Sequence, residues 1–511
     1  MWLLNTKTLR LRQFSGDLPS WKPGRQRGQT PHYAILSHCW REEEVLFQDI
    51  QDLDRARGMT GFPKIEHCCE QALKIGYKWA WVDTCCIDKS SSAELSEAIN
   101  SMFKWYGHAG TCLIYLDDVD DGDPHRQDSL FRKSRWFTRG WTLQELLAPK
   151  RLVFFSKSWS SLGTKGSLLT LLSAITKIPI DALSHNSSFS SFSVAQRMSW
   201  AAKRQTTRVE DQAYSLMGLF SIFMPIIYGE GSSAFRRLQL EIIQRSSDQS
   251  IFAWSPGRSM GYSLPFFSDW IESDADDSGS SPILELPSHC SLEHSFILAP
   301  SPADFRDSGN IVSLPVSARS ESPDEPLETM TEYSWTHLGL HIHMPLIPVR
   351  IHTKKGRPFL AMLSCWNSEE QSIYGIMLFR DNVQDPYRCY NLGVFGSGIS
   401  DSTDHLVSIP KKDYDEAGPK LAVPRDIYIS NQPDPGNDSA SDSAIGRDSP
   451  TSFDHESSRV RLLVIFSNFA LKKLEKMGFS LAGHAARRGP DSPQDMEVRK
   501  DLGGDVLLEF Q

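Results

Sequence analysis

The stretch Ser134-Arg-Trp-Phe-Thr-Arg-Gly-Trp-Thr-Leu-Gln-Glu-Leu-Leu-Ala-Pro149 is the part of the sequence from which the fold can be worked out. Three leucines within it recur at helical spacing: Leu143, Leu146 and Leu147. This spacing predicts a helix over 141–147 whose apolar face is turned inward. Pro149 cannot continue a helix and therefore predicts its end. A short helix with so apolar a face has to pack against a larger core.

Glu145 lies among the apolar residues of this helix, where a solvated charge is not expected. Trp136 and Trp141 are close in sequence and can supply dry walls around its carboxyl group. A carboxyl group beside indole rings has a raised pKa and can act as an acid, a base or a charge stabiliser. In the alternative interpretation, Glu145 pairs with Arg135 or Arg139 and only holds the helix in place.

Short buried strands alternate with helices on both sides of the stretch. The strands are predicted at 33–37, 79–83, 111–116 and 151–155, and the helices before the stretch at 44–57, 64–75 and 93–106. This alternation predicts an α/β fold with a parallel sheet flanked by helices. Ligands bind at the carboxyl ends of the strands in such sheets. Four polar residues follow strands there: Ser37, His38, Asp83 and Asp117.

The pattern along the chain predicts three parts. Residues 1–156 form the α/β core, which starts with strand-like residues 1–14 and a loop at 15–31. Residues 157–256 form a mostly helical extension. Residues 257–511 form a β-rich domain, with short alternating runs at 339–351, 358–365, 371–379 and 461–468. Within that domain, 430–459 is rich in Asp, Ser, Pro and Gly and is expected to be a disordered insertion.

The composition is that of a soluble globular protein. The net charge of −9 over 511 residues argues against a general nucleic-acid binder. Nine cysteines without a C-x-x-C pair indicate reduced thiols and a cytoplasmic location. The longest uncharged stretch, 212–229, is interrupted by serine and proline. It is therefore expected to be a buried helix followed by a turn and not a membrane span.

Three stretches together resemble the fungal heterokaryon incompatibility (HET) domain. The first is Tyr33-Ala-Ile-Leu-Ser-His-Cys-Trp40, and the second runs from Trp81-Val-Asp-Thr-Cys-Cys-Ile-Asp-Lys89 to Tyr106. The third is Arg139-Gly-Trp-Thr-Leu-Gln-Glu-Leu-Leu-Ala-Pro149. Segments 208–219 and 224–231 look like the region that follows the core in such proteins. The resemblance extends over about half of the chain, to residue 256.

The resemblance implies a role in fungal non-self recognition that ends in growth arrest or programmed cell death. The HET core is also distantly similar to Toll/interleukin-1 receptor (TIR) domains, which implies a flavodoxin/TIR-like sheet. Some TIR domains cleave NAD with a glutamate four residues after a tryptophan, and Trp141 and Glu145 keep that spacing. The resemblance therefore implies that Glu145 is catalytic. The residues expected to line the substrate site are Ser37, His38, Trp40, Asp83 and Trp141.

Each of these residues also has an ordinary structural interpretation, such as a capping serine or a core tryptophan. A metal site formed by His38 with Cys39, Cys85 and Cys86 is not expected, because the ligand spacing is wrong. The acidic run 117–123 is interpreted as a solvated turn and not as a cation site. No cofactor is predicted, and NAD enters only as the candidate substrate.

Two functions from different classes remain open. The first is an enzyme, a HET effector that hydrolyses NAD by stabilising positive charge on the ribose. The second is a non-catalytic signalling module that associates with itself or with another incompatibility protein. The sequence predicts neither nucleic acid nor a membrane among the partners. It contains no G-x-x-x-x-G-K-[ST] phosphate-binding loop.

Overall fold

The computed structural model describes residues 1–14, 32–255, 262–263, 284–285, 290–314, 333–349, 351–352, 358–380, 385–394, 402–404, 406–415, 422–430, 479–482 and 497–500. The chain divides into two compact units. The first comprises 1–286, 292–392 and 403–432, and the second 287–291, 393–402 and 433–511. The predicted loop 15–31, strand 461–468 and insertion 430–459 lie outside the described residues, except for Ser430, which ends a strand.

A seven-stranded, mostly parallel sheet organises the amino-terminal half of the first unit. Its strands are β1 (Trp2–Asn5), β2 (Leu11–Gln13), β3 (Ala34–His38), β4 (Trp79–Trp81), β5 (Thr111–Tyr115), β6 (Leu152–Phe155) and β7 (Ser161–Thr164). Their order is β2-β1-β4-β3-β5-β6-β7. The central pairs β4–β3, β3–β5 and β5–β6 are parallel, whereas β1, β2 and β7 add antiparallel edges. The predicted α/β sheet is confirmed, and its parallel strands have the order of flavodoxin-like sheets.

Nine α-helices accompany the sheet within residues 32–255. They are α1 (Leu53–Arg57), α2 (Phe62–Lys74), α3 (Ser92–His108), α4 (Thr142–Leu147), α5 (Leu169–Thr176), α6 (Ile180–Leu183), α7 (Val194–Ser199), α8 (Asp211–Tyr214) and α9 (Ser233–Ile243). The 3-10 helices of the first unit are Asp49–Gln51, Leu130–Lys133, Arg135–Thr138, Phe189–Ser191, Met217–Phe220, Gln249–Phe252, Pro302–Phe305 and Ser308–Asn310. The predicted helices α2, α3 and α4 are present, and Ser91 caps α3 by accepting from the Glu94 amide.

The helix predicted over 44–57 is wrong in its first half. Glu44 does not continue a helix, because its carboxylate is buried in an ion pair with Lys64 at 2.6 Å. Asp52 has extended backbone angles and accepts from the amides of Asp54 and Arg55, so it starts α1 as a cap. The same competition between side chain and backbone acts at Asn5, which turns strand-like residues 1–14 into the hairpin of β1 and β2.

The extension after the core begins with a strand and not with a helix. β7 pairs antiparallel with β6, and short helices follow it. The buried helix followed by a turn that is predicted over 212–229 consists of two short helices, α8 and the 3-10 helix Met217–Phe220, and Ser221 ends the second of them in a left-handed conformation with φ 56°. Within the described residues, every helix is too short or too polar to cross a lipid bilayer.

The carboxy-terminal part of the first unit is rich in β-structure, as predicted. The remaining described strands are β8 (Tyr262–Ser263), β9 (Leu284–Glu285), β10 (Cys290–Ser295), β11 (Ile311–Ser313), β12 (Tyr333–Thr336), β13 (Gly339–Pro348), β14 (Ile351–His352), β15 (Phe359–Asn367), β16 (Ser372–Phe379), β17 (Tyr387–Val394), β18 (Ser402–Asp404), β19 (Leu406–Pro410), β20 (Val423–Ser430), β21 (Phe479–Ala482) and β22 (Glu497–Lys500). The last two, β21 and β22, belong to the second unit. β17 pairs with both β20 and β16, so that strands β17, β20, β13, β15 and β16 close into a barrel-like ring.

One continuous hydrophobic core joins the parallel sheet, the helical extension and one face of the β-rich region. Its largest fully buried side chains include Trp81, Trp136 and Trp254. A second, smaller cluster of buried residues lies within the β-rich region, formed by β13, β15, β16 and β19. The shared core positions the extension firmly against the sheet. The predicted boundaries at 156 and 256 stay predictions.

Gly218 in the extension packs tightly against α3. A methyl group at this position would lie 2.1 Å from Phe103 Cβ. We therefore predict that Gly218→Ala lowers the free energy of unfolding by about 1–3 kcal/mol, since overpacking forces the backbones apart. Urea unfolding measures the change. Gly166→Ala is the control, because its nearest neighbour would be 3.9 Å away. Equal stability of the two variants would contradict this packing.

Candidate functional site

The carboxyl ends of β3 and β4 and the helix α4 meet at one edge of the sheet. Ser37 and His38 are the last two residues of β3, so their side chains leave the strand in opposite directions. Asp83 follows β4, which is parallel to β3. Glu145 is carried by α4, whose six residues are all buried. The sheet therefore brings together residues that are more than a hundred positions apart in sequence.

Glu145 is held by hydroxyl groups. Ser37 Oγ donates to Glu145 Oε2 at 2.5 Å, and Trp136 Nε1 donates to Ser37 Oγ at 2.7 Å. Tyr106 also forms a hydrogen bond with Glu145, and the Tyr106 hydroxyl donates to the backbone oxygen of Leu36 at 2.8 Å. This arrangement fixes both the carboxyl group and the strand end beneath it.

The surroundings of Glu145 favour its neutral form. Burial, followed by the negative charge of Asp83, raises the pKa of Glu145 to about 8. The hydrogen bonds with Ser37 and Tyr106 and the charge of Arg139 oppose this rise without cancelling it. At neutral pH the carboxyl group therefore keeps its proton, as an uncharged acid inside the fold.

Asp83, in contrast to Glu145, is ionised at neutral pH. Its carboxylate accepts from Trp40 Nε1 at 2.7 Å and lies 2.9 Å from His38 Nε2. The Lys89 ammonium group is 3.9 Å from the centre of the Trp40 ring. Burial raises the pKa of Asp83, but the charges of His38 and Lys89 and the hydrogen bonds of His38 and Trp40 hold it well below its usual value. Two carboxyl groups with opposite protonation states are thus neighbours, a pattern typical of acid–base sites.

A cavity of about 390 Å³ opens beside these two carboxyl groups. Its size is within the range of small-molecule sites. Its walls come from β3, the segment after β4, α3, the start of α4 and the extension. The lining residues are His38, Trp40, Asp83, Ile87, Lys89, Leu95, Ile99, Met102, Arg139, Gly140, Trp141, Glu145, Gln205, Thr206, Thr207, Arg208, Asp211 and Tyr228.

The extension supplies the outer wall of the cavity. Trp141 forms a hydrogen bond with Asp211, and the Tyr228 hydroxyl donates to Asp211 Oδ1 at 3.1 Å. The Arg208 guanidinium group lies 4.2 Å from the centre of the Tyr228 ring. Burial raises the pKa of Asp211. Aromatic rings and arginines therefore share this wall, which suits a ligand with both a flat ring and negative charge.

Buried cations hold both ends of α4. Arg204 Nη1 donates to Arg139 O and to Thr142 Oγ1, each at 2.9 Å. Lys165 Nζ donates to Leu146 O at 2.9 Å and to Pro149 O at 3.0 Å. Burial lowers the pKa of Arg204 to about 9 and that of Lys165 to about 7. The position of Glu145 therefore depends on residues of the extension as well as on the sheet.

Most of the residues predicted for the site lie together. The cavity is lined by Glu145, His38, Trp40, Asp83 and Trp141. Ser37 does not line it, because its side chain is fully buried behind the Glu145 carboxyl group. Asp117, at the end of β5, is turned away into ion pairs with Arg41 and Arg135.

The structure excludes the predicted pairing of Glu145 with Arg135, because Arg135 binds Asp117 and Asp118. Arg139 acts on Glu145 only by its charge. Thirteen of the eighteen lining residues were not predicted for the site, and five of these carry a charge or a phenol group: Lys89, Arg139, Arg208, Asp211 and Tyr228. The last three belong to segments 208–219 and 224–231. The resemblance of those segments to the region after the HET core was the signal that could have indicated them. Among the described residues, no group of three or more His, Cys, Asp or Glu is arranged to hold a metal ion.

Comparison with known proteins agrees with the sequence pattern. Residues 33–130 match the family described as Heterokaryon incompatibility protein (HET), and residues 233–375 match a domain of unknown function, DUF8212. The chain is similar to Vegetative incompatibility protein HET-E-1 of Podospora anserina, with 50% identity over 235 residues. That match covers 44% of this chain and 17% of the relative. No solved structure matches the chain.

The neutral state of Glu145 predicts a pH dependence of stability. Its pKa is about 8 in the fold against a usual value of 4.5, so the folded state binds the extra proton between these values. The stabilisation is complete below about pH 4.5 and is lost as pH rises through about 8, with a size on the order of 5 kcal/mol. Glu145→Gln mimics the protonated group and removes this dependence.

Urea unfolding of the parent and of Glu145→Gln at about pH 5 and about pH 9 measures this effect. The variant gains stability relative to the parent as pH rises. Glu66→Gln, which changes an exposed carboxylate on α2, is the control. A parent–variant difference that stays constant with pH would show that Glu145 is ionised in the fold.

Proposed function

Because residues 33–130 form a HET domain, we propose that this chain acts in fungal vegetative incompatibility and contributes to cell death by hydrolysing NAD. The similarity to a vegetative incompatibility protein supports the biological role. The chemistry is proposed from the cavity beside α4. Because the chain matches only 17% of that relative, the relative's own activity and partners are not carried over.

One observation carries the proposed chemistry: the neutral carboxyl group of Glu145 lies beside the ionised Asp83 in a cavity with an indole wall. A flat cation bound in this cavity would lower the electrostatic repulsion between the two carboxyl groups. Its positive charge favours the ionised form of Glu145 and screens that carboxylate from Asp83. The nicotinamide ring of NAD is such a cation while it is attached to ribose. The Trp141 ring supplies an aromatic surface on which a flat ring can pack.

The reaction follows from the same charges. When the bond between ribose carbon and nicotinamide nitrogen breaks, both bonding electrons go to the nitrogen and nicotinamide leaves as a neutral molecule. Positive charge then develops on the ribose, where the Glu145 carboxylate stabilises it. Water forms the new bond to the ribose carbon and releases one proton. The products are ADP-ribose, nicotinamide and that proton, so no further reactant is required.

Two arginines of the lining are proposed to bind the diphosphate of the substrate. Arg139 and Arg208 both line the cavity, and NAD carries a diphosphate between its two nucleosides. Among the described residues, the Arg139 guanidinium group has neither an ion pair nor a hydrogen bond. Guanidinium groups bind phosphate oxygens through paired hydrogen bonds. These two side chains are therefore proposed to hold the diphosphate while the nicotinamide end faces Glu145.

We predict that the purified chain releases nicotinamide from NAD and that Glu145→Gln lowers the rate by about a hundredfold or more, because the amide cannot stabilise positive charge. For the parent, kcat/KM rises with pH through about 8, the pKa of Glu145 in the free protein. The corresponding rise of kcat occurs at lower pH, since the bound cation favours the carboxylate.

Glu66→Gln is again the control, and a melting curve of each variant confirms the fold. The same variants, expressed in a fungal host, show whether cell death follows NAD cleavage. A folded Glu145→Gln protein that still consumes NAD would refute the assignment of Glu145. A parent that kills without consuming NAD would leave the non-catalytic signalling module as the function.

We further predict that Arg208→Gln raises KM for NAD about tenfold, because a charge-assisted contact to the diphosphate is lost. KM for nicotinamide riboside, which has no phosphate, stays unchanged. Arg236→Gln is a matched control, since Arg236 also lies over an aromatic ring, that of Trp335, outside the cavity. An equal effect of Arg208→Gln on both substrates would mean that Arg208 does not bind the diphosphate.

A further inference from the structure

A second cavity, of about 820 Å³, is lined in part by Arg204 and shares no lining residue with the cavity beside Glu145. We call it the basic cleft. Its first wall is formed by the 3-10 helices before α4 and by residues around α5 and α7. Its second wall is formed by residues 306–310 and 367–370. The cations that line it are Arg132, Lys133, Lys177, Lys203, Arg204 and Arg306.

The basic cleft carries charges of both signs, with more cations than carboxylates. The exposed side chains of Lys133, Lys177 and Lys203 lie on the first wall and make no ion pair with the described residues. The carboxylates lie on the second wall: Asp307, Glu369 and Glu370. The three lysines line the same cavity, where their positive charges would attract a bound anion.

The floor of the basic cleft is apolar. Phe137 and Trp200 both line it and are almost fully buried, with 8% and 4% of their surface exposed. The cleft therefore offers cations, carboxylates and an apolar surface within one volume. A ligand that uses all three has phosphate groups, donors such as hydroxyls or an amine, and a flat apolar ring. Nucleotides combine these groups.

Arg204 connects the basic cleft to α4. Its Nη1 donates to Arg139 O and Thr142 Oγ1, and its Nε donates to Trp200 O at 3.3 Å. Its Nη2 makes no hydrogen bond with the described residues, which leaves two N–H groups for a ligand in the cleft. An anion bound there adds to the existing contacts without breaking them. It would steady the guanidinium group that holds the start of α4.

We propose that the basic cleft binds a nucleoside polyphosphate, with its phosphates on Lys177, Lys203 and Arg204, and that the bound ligand stabilises the position of α4. The cleft is a separate site from the cavity beside Glu145. Its binding reaction does not depend on NAD hydrolysis, so either proposal can fail without the other. The ligand is an effector because it lies outside the cavity beside Glu145. Its phosphates influence α4 only through Arg204.

Calorimetry on the full chain tests the binding, with ATP, inorganic triphosphate and adenosine as probes. ATP binds most tightly, triphosphate more weakly and adenosine least, because phosphates supply most of the contacts. The double variant Lys177→Gln/Lys203→Gln weakens ATP binding about tenfold or more. The matched control Lys7→Gln/Lys74→Gln, which changes two exposed lysines outside the cleft, leaves it unchanged.

Arg208→Gln distinguishes the two cavities, since it alters only the cavity beside Glu145. Loss of ATP binding in this variant, or unchanged binding in the double lysine variant, would overturn the proposed site. If triphosphate binds as tightly as ATP, the nucleoside contributes nothing to the affinity. That result would overturn the nucleotide assignment.

Hydrogen exchange tests the connection to α4. ATP slows amide exchange across 139–147 in the parent, because the ligand steadies Arg204. The double lysine variant loses this protection at the same ATP concentration, whereas the Lys7/Lys74 control keeps it. ATP binding that leaves the exchange of 139–147 unchanged would refute the effector role. Protection that persists in the double lysine variant would do the same.

Discussion

The hydrogen bond from Ser37 to Glu145 is the interaction on which the site depends. It joins the end of the central strand β3 to α4 at 2.5 Å, and Trp136 fixes the serine from behind. A buried ionised carboxylate would cost several kcal/mol of desolvation, so the fold retains the carboxyl group in its neutral form. The strand, the helix and the protonation state of Glu145 are therefore determined together.

The cavity beside Glu145 has one region that favours positive charge in a ligand and another that favours negative charge. Asp83 keeps its charge because His38, Trp40 and Lys89 surround it, and that charge contributes to the raised pKa of Glu145. A positive group that enters between the two carboxyl groups therefore ionises Glu145 at the moment of binding. The arginines of the lining, Arg139 and Arg208, favour negative charge. A ligand with a cationic ring at one end and phosphates in its middle satisfies both regions, and neither region alone would select it.

Much of the fold could be predicted because its signals are local. Short apolar runs predicted the strands of the parallel sheet, and helical spacing predicted α3 and α4. The prediction over 44–57 was wrong where a side chain displaced the helix, since Glu44 pairs with Lys64 from the next helix. The inner site residues were predictable because strands end where ligands bind. The outer wall was not, because Arg208, Asp211 and Tyr228 approach Trp141 from at least 67 residues along the chain.

The requirements of α4 indicate which part of the chain forms the functional unit. A helix of six residues is not stable alone, so its ends must be held by other elements. Lys165 at its carboxyl end suits the helix dipole, whereas Arg204 at its amino end opposes the dipole. The contribution of Arg204 must therefore come from its hydrogen bonds and from its charge near Glu145. The HET match ends at residue 130, before α4 begins. The matched segment thus contains β3 and Asp83 but neither Glu145 nor the residues that hold it, so the site requires the chain at least as far as Tyr228.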